Sequence, residues 1–438
     1  MHKCVYRKLL YLLQLLVSLM LTFVPGQTFA RNYYVNSRFG EDNRDGASPA
    51  TAWRTLTNLS HRSFQPGDSI LFRRGSRFTG GFVFMSSGSP QAPIVFSSYG
   101  NGPKPAFSNP YWDILNGNIF QIHGSYVVIS GLYFHDNALP PSANARDKNV
   151  QKMGAVYFGL RTMHDRVSDC EFYHTPVGVK VKGHYTQVIG NYFHDADSIA
   201  RTWGAIAIMV VSAHNEIAYN RITYYGYYGG AFGSDGGAIE LDGVDPAFDA
   251  REIYIHHNVS IGNHGFLEIA GRKVDSIVIA FNLSDDVDKF VGVGNMRNVL
   301  IINNTVIRRR EPNIDRFVFW TFDRDNTHCV VRNNVFVLPK DIQVFGPLDR
   351  PVGHKRTGFG YQPHDHNLYF VPGDSTADPI GIPRGPGDRI GNPLFVDVTH
   401  EDFHLAAGSP ARHGGITEGL PETVVRQLAG KHPDMGAF

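Results

Sequence analysis

The chain has 438 residues, of which 42% are hydrophobic and 18% are charged. This composition supplies enough apolar side chains for a large core and excludes an intrinsically disordered protein. Lys and Arg together number 41, Asp and Glu together number 40, and the formal net charge is +1. A nearly neutral chain has no overall field that attracts nucleic acid or an anionic bilayer, so we expect neither partner.

The N-terminus has the three parts of a secretory signal peptide. A basic start is followed by an apolar run at residues 9–24 and by the small-residue ending Thr28-Phe29-Ala30. We therefore expect residues 1–30 to be a signal peptide that is cleaved after Ala30, and the mature protein to be secreted or periplasmic. No later segment has the roughly 18 uninterrupted apolar residues that a membrane span needs, so we expect no span in the mature chain.

A short repeated motif runs through the middle of the chain, with an aliphatic residue three positions before an asparagine. The segments are VIGNYF, IAYNRI, IHHNVS, IAFNLS, IINNTV, VRNNVF and, more loosely, HDHNLYF, with Asn191, Asn220, Asn258, Asn282, Asn304, Asn334 and Asn367. The spacing varies from 22 to 38 residues, which indicates a constant core with loops of variable length. Each unit contains short Val- and Ile-rich strands that cannot bury a face alone, so the units must stack.

Stacked coils of parallel strands place equivalent residues in columns about 4.8 Å apart, so an inward asparagine can bond to its neighbours above and below. The seven asparagines resemble the asparagine ladder of right-handed parallel β-helix proteins, the pectate-lyase-like superfamily. The opening YYVNSRFGEDNRDGASPATAWRTLTNL and the closing DFHLAAGSPARHGG and DMGAF resemble the end modules of exported bacterial β-helix proteins linked to polysaccharides. The resemblance implies an all-β chain, a single right-handed parallel β-helix (solenoid) with short helical caps, and a polysaccharide as partner.

Two earlier segments, ISGLYF and VSDCEF, fit the same frame with Leu132 and Cys170 at the asparagine position. We therefore expect one elongated domain rather than several. After the signal peptide, residues 31–126 form the N-terminal cap and first coils, residues 127–370 the β-helix with its ladder, and residues 371–438 the last coil and cap. Short helices at residues 51–59 and 422–428 are predicted to cap the ends. Coil stacking within one chain gives no need for trimerisation, so we expect a monomer.

The phrases GAIELDG and GFLEIAG each place a glutamate, Glu240 or Glu268, between two aliphatic residues. Strand alternation predicts that the aliphatic residues point inward and both glutamates outward, on adjacent coils. Aligning the same strand across the coils predicts an outward column, in which Lys182 is the alternative to Lys180. The column is Tyr157, Lys180, Ala207, Glu240, Glu268 and Gly292.

Two carboxylates about 5 to 5.5 Å apart suit a retaining glycosidase, and adjacent coils supply approximately that spacing. Like charges so close would raise the pKa of one carboxyl group and leave a protonated acid beside an ionised partner. Asp242 on the same face and Asp235 before the strand are further carboxylates that can take either role. We therefore predict a glycoside hydrolase with Glu240, Glu268, Asp242 and Asp235 as catalytic candidates and no required cofactor.

The loop at residues 222–237 is rich in tyrosine, and tyrosine faces can stack on sugar rings. A second long loop, at residues 136–154, can form a cleft wall. The predicted substrate-binding residues are Tyr157, Lys180, Tyr227, Tyr228, His264 and Arg272.

Three other interpretations of the same residues remain open. A polysaccharide lyase needs a base and a cation for a uronic acid, and Lys180, His264 and Arg272 can supply both. A calcium site is possible because Glu240, Asp242 and Glu268 are hard oxygen ligands on one surface. A non-catalytic β-helix that binds glycans or serves as a surface scaffold would carry the same glutamates as solvated polar residues.

Two further features have less specific interpretations. The run DDVDK at residues 285–289 lacks the glycine and final glutamate of an EF-hand loop, so it predicts a solvated turn. Cys170 and Cys329 are separated by about six coils, or near 29 Å, which no disulfide can span. We expect two buried thiols.

Overall fold

The structure, a computed structural model, describes residues 30–140, 148–200, 203–228, 234–242, 249–270, 274–309, 316–321, 326–346, 363–428 and 430–437. The predicted signal peptide up to residue 29 and the candidate Arg272 lie outside this set. No described helix has the length and apolar character of a membrane span. The regular structure is almost entirely β, and the strands are numbered β1 to β38 in chain order.

The first sheet runs along the whole chain and pairs its strands in parallel. Its strands are β1 (Asn32–Val35), β2 (Ser69–Arg73), β5 (Ile94–Tyr99), β8 (Val127–Ser130), β11 (Arg166–Ser168), β14 (Gln187–Ile189), β17 (Glu216–Ala218), β22 (Ala250–His256), β25 (Val274–Ala280), β28 (Met296–Arg297), β29 (Leu300–Ile302), β32 (Val330–Arg332) and β34 (His364–Asp365).

The second sheet is also parallel and follows the first within each coil. Its strands are β3 (Arg77–Thr79), β6 (Ala106–Asn109), β9 (Tyr133–Asn137), β12 (Glu171–Tyr173), β15 (Tyr192–His194), β18 (Arg221–Thr223), β23 (Val259–Ile261), β26 (Leu283–Asp285), β30 (Thr305–Ile307), β33 (Val335–Val337), β35 (Leu368–Phe370) and β36 (Arg389–Ile390).

The third sheet closes each coil and contains both glutamate phrases. Its strands are β4 (Phe82–Phe84), β7 (Phe120–Ile122), β10 (Val156–Phe158), β13 (Val177–Val181), β16 (Ile206–Val210), β21 (Gly237–Leu241), β24 (Leu267–Ile269), β27 (Val291–Val293) and β31 (Phe319–Thr321). Two antiparallel hairpins lie outside the three sheets. They are formed by β19 (Tyr227–Tyr228) with β20 (Ser234–Asp235), and by β37 (Phe395–Asp397) with β38 (Asp402–Leu405).

The predicted asparagine ladder forms at the turn between the first and second sheets. Asn282, for example, donates from Nδ2 to Oδ1 of Asn304 at 3.0 Å and accepts at Oδ1 from Nδ2 of Asn258 at 3.0 Å. Equivalent bonds link every ladder asparagine from Asn191 to Asn367, where Asp388 continues the column. The ladder thus satisfies buried amides in each coil and confirms the stacking that the repeat predicts.

The turn residue before each ladder asparagine adopts a left-handed conformation. Tyr219, His257 and Phe281 have φ values of 57°, 52° and 57°. This conformation costs a non-glycine residue about 1–2 kcal/mol. The buried amide bonds of the following asparagine offset that cost and turn the chain from one sheet into the next.

The core is a stack of side chains inside the coil. Phe134, Phe172 and Phe193 lie one above the next, with ring centroids 5.0 Å and 4.5 Å apart. Cys170 occupies the ladder position of its coil, because its backbone N–H donates to Oδ1 of Asn191 at 3.0 Å. Cys170 and Cys329 are both buried free thiols, as predicted.

The structure agrees with one of the two predicted cap helices and differs from the other. Helix α2 (Glu422–Gln427) lies where the second was predicted. The segment at residues 51–59 instead forms a 3-10 turn, Pro49–Thr51, and a short helix α1, Thr57–His61. Between them the buried Trp53 donates its backbone N–H to Tyr34 at 2.9 Å, so β1 draws this part of the chain into an extended conformation.

Candidate active site

The third sheet carries one column of side chains in register. The pairings join Tyr157 to Lys180, Lys180 to Met209, Met209 to Glu240, Glu240 to Glu268, Glu268 to Gly292 and Gly292 to Trp320. The predicted column is therefore wrong at one position, since Met209 and not Ala207 stands beside Glu240. Both residues lie on the same face of β16, and loop length, which the pattern does not encode, decides which of them reaches the register of Glu240.

Glu240 and Glu268 are direct register partners on adjacent strands, which lie about 4.8 Å apart. Their neighbours Ile239, Leu241 and Leu267 are buried in the core, whereas both glutamates are half-buried on the opposite face. The alternation predicted from GAIELDG and GFLEIAG is thus present. It brings two carboxyl groups side by side on the outside of the coil.

The two glutamates have different electrostatic environments. Burial raises the pKa of Glu240 well above its usual range, and the charges of Asp242, Glu268 and Asp235 raise it further. Glu268 forms an ion pair with Lys289, whose Nζ lies 3.0 Å from Oε2. The side chains of Lys289 and Glu268 are only 4% and 17% exposed, so water screens this pair weakly. The environment therefore favours a protonated Glu240 beside a Glu268 that is paired with a largely buried lysine.

Lys289 has a raised pKa even though burial alone lowers it, because the carboxylates of Glu268, Asp288 and Asp235 outweigh that effect. Its positive charge is consequently retained in the folded protein. Residues 285–289, predicted to be a solvated turn, are largely buried, with Asp288 1% exposed and Lys289 4% exposed. That prediction is wrong because the turn packs against the neighbouring coil, where Asp286 accepts hydrogen bonds from the hydroxyls of Ser260 and Ser284 at 2.6 and 2.7 Å.

Asp235 and Asp242 lie on either side of Glu240 in the chain. Asp235 ends the β19–β20 hairpin, and its Oδ1 accepts from the N–H of Gly236 at 2.9 Å. Burial, followed by the charge of Glu268, raises the pKa of Asp235 to about 7. Asp242 is buried and accepts a short hydrogen bond from the side-chain amide of Gln151. Four carboxyl groups thus surround one surface of the third sheet.

Lys180 lies under this surface rather than on it. Its side chain is fully buried and its Nζ donates to Gln151 Oε1 at 2.8 Å and to Met209 Sδ at 2.7 Å. Burial lowers the pKa of Lys180 to about 7, and the charge of Lys182 lowers it in the same direction. Gln151 therefore links the lysine to Asp242, although no sequence pattern pointed to this glutamine.

The tyrosines predicted to bind substrate lie at two places. Tyr157 is half-buried, and Nζ of Lys182 lies 5.4 Å from its ring centroid. Tyr227 is half-buried at the start of the β19–β20 hairpin, in register with Asp235. The side chain of Tyr228 and all of Arg272 lie outside the described residues.

His264 is buried inside the protein. The residue is 1% exposed, and its Nε2 lies 3.0 Å from Oδ2 of Asp288. Its Nδ1 lies 3.1 Å from the carbonyl oxygen of Gly236. His264, predicted to bind substrate, therefore lies inside the protein, where both of its ring nitrogens contact protein groups. The side chain instead holds the turn that follows Asp235.

Trp320 and Lys289 are site residues that the sequence analysis missed. Trp320 extends the column two strands beyond Glu268, and Nζ of Lys289 lies 5.5 Å from the centroid of its ring. Continuing the strand alignment past Gly292 into the segment FVFWTF would have found Trp320. No local sequence pattern marks Lys289, because its contact with Glu268 depends on the packing of one coil against the next.

The calcium interpretation receives no support from the geometry. Across the described parts of the chain, no group of three or more His, Cys, Asp or Glu side chains converges closely enough to hold a metal ion. Glu240, Asp242 and Glu268 lie near one another but do not form such a group.

Solved structures with similar coordinates identify the fold. Pectate lyase Pel9A is 15% identical, with 94% of this chain and 97% of that chain covered and a TM-score of 0.54. XylC in complex with xylose is 10% identical, with coverages of 83% and 87% and a TM-score of 0.53. A mannuronic acid specific polysaccharide family 6 lyase from human gut microbiota is 13% identical, with coverages of 93% and 96% and a TM-score of 0.50. The chain has the right-handed parallel β-helix fold that its asparagine ladder predicts.

Sequence comparison adds one short match. No protein-family model matches the chain. A lacto-N-biosidase of Bifidobacterium longum subsp. longum is 36% identical over 76 residues, which are 16% of this chain and 5% of that protein. The match therefore spans a small part of either protein.

Proposed function

We propose that this protein is a polysaccharide-active enzyme, a glycoside hydrolase that acts with retention of configuration. Glu240 is the general acid and Glu268 the nucleophile. One observation carries the proposal: the two glutamates are register partners on adjacent strands, and one has a raised pKa while the other is paired with a largely buried lysine. That combination suits a retaining mechanism, which needs an acid and an ionised carboxylate about 5 Å apart.

The reaction would proceed in two steps. Glu240 donates its proton to the glycosidic oxygen while an oxygen of Glu268 bonds to the anomeric carbon, and the C–O bond to the leaving sugar breaks. Glu240, now ionised, then takes a proton from water, whose oxygen displaces Glu268 from the anomeric carbon. The proton balance closes with Glu240 protonated again and Glu268 ionised.

Asp235 and Asp242 have a supporting role in this proposal. Their charges raise the pKa of Glu240 and so keep the acid protonated at higher pH. Both are also carboxyl groups on the same surface, so either can exchange roles with a glutamate.

Several facts support a carbohydrate as the substrate. The solved structures with the same fold include proteins named as a pectate lyase and a mannuronic acid specific lyase, and the short sequence match is to a protein named as a lacto-N-biosidase. Half-buried aromatic residues stand in the same column as the glutamates, at Tyr157 and Trp320. The predicted signal peptide would export the enzyme to the compartment where extracellular glycans are present.

A lyase is the second candidate, and Lys180 is the observation that favours it. A lysine with a pKa of about 7 can act as a base at neutral pH, and it lies close to Glu240 and Asp242. However, its amine is fully buried and donates to Gln151 and Met209. A uronate would also bring its negative charge to a surface with four carboxyl groups. We therefore rank hydrolysis above elimination.

The experiment is an activity screen of residues 31–438. The substrates are β-glucan, xylan, mannan, galactan and chitin oligosaccharides, with polygalacturonate and alginate as uronic acid polymers. Reducing ends and the ultraviolet absorbance of unsaturated products are followed together for the wild type and for Glu240→Gln, Glu268→Gln, Asp235→Asn and Asp242→Asn. Glu171→Gln, which changes a partly exposed glutamate on the second sheet, is the control.

The proposal predicts reducing ends without absorbance, lost by at least about 10²-fold in both glutamate variants and retained in Glu171→Gln. Absorbance that survives both glutamate changes would instead support the lyase. Binding without any product would support a glycan-binding protein. N-terminal sequencing of the exported chain tests the signal peptide, with Arg31 as the expected first residue.

A further inference from the structure

Beyond Glu268, the column contains one position without a side chain and then a large aromatic residue. Gly292 follows Glu268 in register and contributes no side chain, and Trp320 stands in the next position. Adjacent parallel strands lie about 4.8 Å apart, so the backbone position of the tryptophan is about 10 Å from that of the glutamate. At the position between them, the sheet provides no side chain to separate the carboxylate from the indole.

Lys289 connects these two groups. Its Nζ lies 3.0 Å from Oε2 of Glu268 and 5.5 Å from the centroid of the Trp320 ring. The lysine is 4% exposed, and its carbonyl oxygen accepts the backbone N–H of Phe266 at 3.2 Å. A largely buried cation on an anchored turn therefore links the carboxylate and the ring.

We propose that Trp320 is the floor of a subsite that binds a neutral pyranose unit beside Glu268. The inference rests on the proposed function, which it deepens by assigning a binding position and a substrate class. Trp320 is half-buried, so part of the residue reaches the surface. A sugar ring offers apolar C–H groups to an aromatic face and hydroxyl groups to the neighbouring carboxylate.

The charge of the surroundings favours a neutral sugar. The ammonium group of Lys289 already pairs with Glu268, and the charge of Asp235 also acts on it. A uronate in this position would compete with Glu268 for the same cation. The glycan chain would then run along the column, across the strands, from Trp320 past Glu268 toward Glu240.

The test compares Trp320→Ala and Trp320→Phe with the wild type on the neutral oligosaccharide that the screen finds to be cleaved. If the subsite binds the substrate and the transition state equally, KM should rise about tenfold in Trp320→Ala while kcat stays within about twofold of the wild type. Phenylalanine keeps an apolar ring and should show a smaller rise. Trp112→Ala, which changes a partly buried tryptophan packed against the core elsewhere, is the control.

A second measurement works without catalysis. Tryptophan fluorescence is titrated with the same neutral oligosaccharides and with alginate in the wild type, Trp320→Phe and Trp112→Phe. A change with neutral sugars that is absent in Trp320→Phe alone supports the subsite, even if no substrate in the panel is cleaved and the proposed hydrolysis fails. Hydrolysis with unchanged KM in folded Trp320→Ala and Trp320→Phe overturns the subsite but not the hydrolase. A stronger response to alginate overturns the neutral-sugar assignment.

Discussion

Lys289 and Glu268 form a largely buried ion pair, with 3.0 Å between Nζ and Oε2, while the register partner of Glu268, Glu240, has its pKa raised by burial and by neighbouring carboxylates. Two glutamates on one face of one sheet thus have different electrostatic environments, one beside a buried cation and the other beside carboxyl groups. The difference arises from the next coil, which supplies the lysine. This asymmetry is what a pair of catalytic carboxyl groups requires.

Substitution of Lys289 should therefore reduce turnover. Lys289→Met leaves Glu268 beside Glu240 and Asp235 without its cation, so the proposed nucleophile loses its ion-pair partner. We expect kcat to fall by about 10- to 100-fold. Steady-state kinetics on the cleaved glycan measure this, and Lys289→Arg should recover most of the loss because it keeps the charge. The half-buried Lys104, which pairs with Asp169 at 3.3 Å far from the site, provides the control Lys104→Met. An unchanged kcat in Lys289→Met would contradict the role of the pair.

The dependence of activity on pH should change when the charge of Asp242 is removed. A general acid works only while it is protonated, so activity should fall as pH rises through the pKa of Glu240. The Asp242 carboxylate raises that pKa, and Asp242→Asn removes its charge, so the alkaline limb should move to lower pH. Profiles of kcat/KM from acid to alkaline pH measure the shift. Asp165, a buried carboxyl group on the first-sheet side with a pKa of about 7, supplies the control Asp165→Asn, whose limb should stay in place. Complete loss of activity in Asp242→Asn would instead make Asp242 a catalytic residue.

The asparagine ladder should dominate the stability of the middle coils. Asn282 is fully buried, accepts the backbone N–H of Asn258 at 3.0 Å and donates to the carbonyl oxygens of Ile255 and Ala280, both at 3.0 Å. Asn282→Ala leaves these buried groups without partners and should lower the free energy of unfolding by about 3 kcal/mol. Urea denaturation measures it. The exposed Asn392 makes only a local bond to Leu394 at 2.9 Å, so Asn392→Ala should change the value by less than about 0.5 kcal/mol. Equal effects of the two substitutions would argue against the ladder as a stabilising element.

The two cysteines should be unreactive in the folded protein. Both are buried, and burial raises the pKa of Cys170 to about 12 and that of Cys329 to about 11, so the nucleophilic thiolate is scarce at neutral pH. Titration of residues 31–438 with a chromogenic disulfide reagent should detect no thiol under native conditions and both thiols in denaturant. One or two rapidly reacting thiols in the native protein would show that a cysteine is accessible. Fewer than two in denaturant would reveal a covalent modification.

The fold and the identity of the glutamates were accessible from the sequence because their signals are local. An asparagine three residues after an aliphatic residue recurs through the middle coils, and Glu240 lies between Ile239 and Leu241, so strand alternation alone assigns its face. The C-terminal helix was likewise predicted to within one residue of its end. Each of these features depends on a few consecutive residues and the period of a strand.

Contacts between coils determine the features of the site that local sequence patterns did not predict. Met209 rather than Ala207 stands beside Glu240, His264 is buried against Asp288, and Lys289 leaves an apparently solvated turn to pair with Glu268. Loops of different length separate the coils, so equivalent positions cannot be aligned by counting residues. A polar side chain in such a loop has the same local pattern whether it faces water or a neighbouring coil. Stacking determines burial, burial determines the pKa of each carboxyl group, and only the tertiary structure therefore separates a proposed acid from a proposed nucleophile.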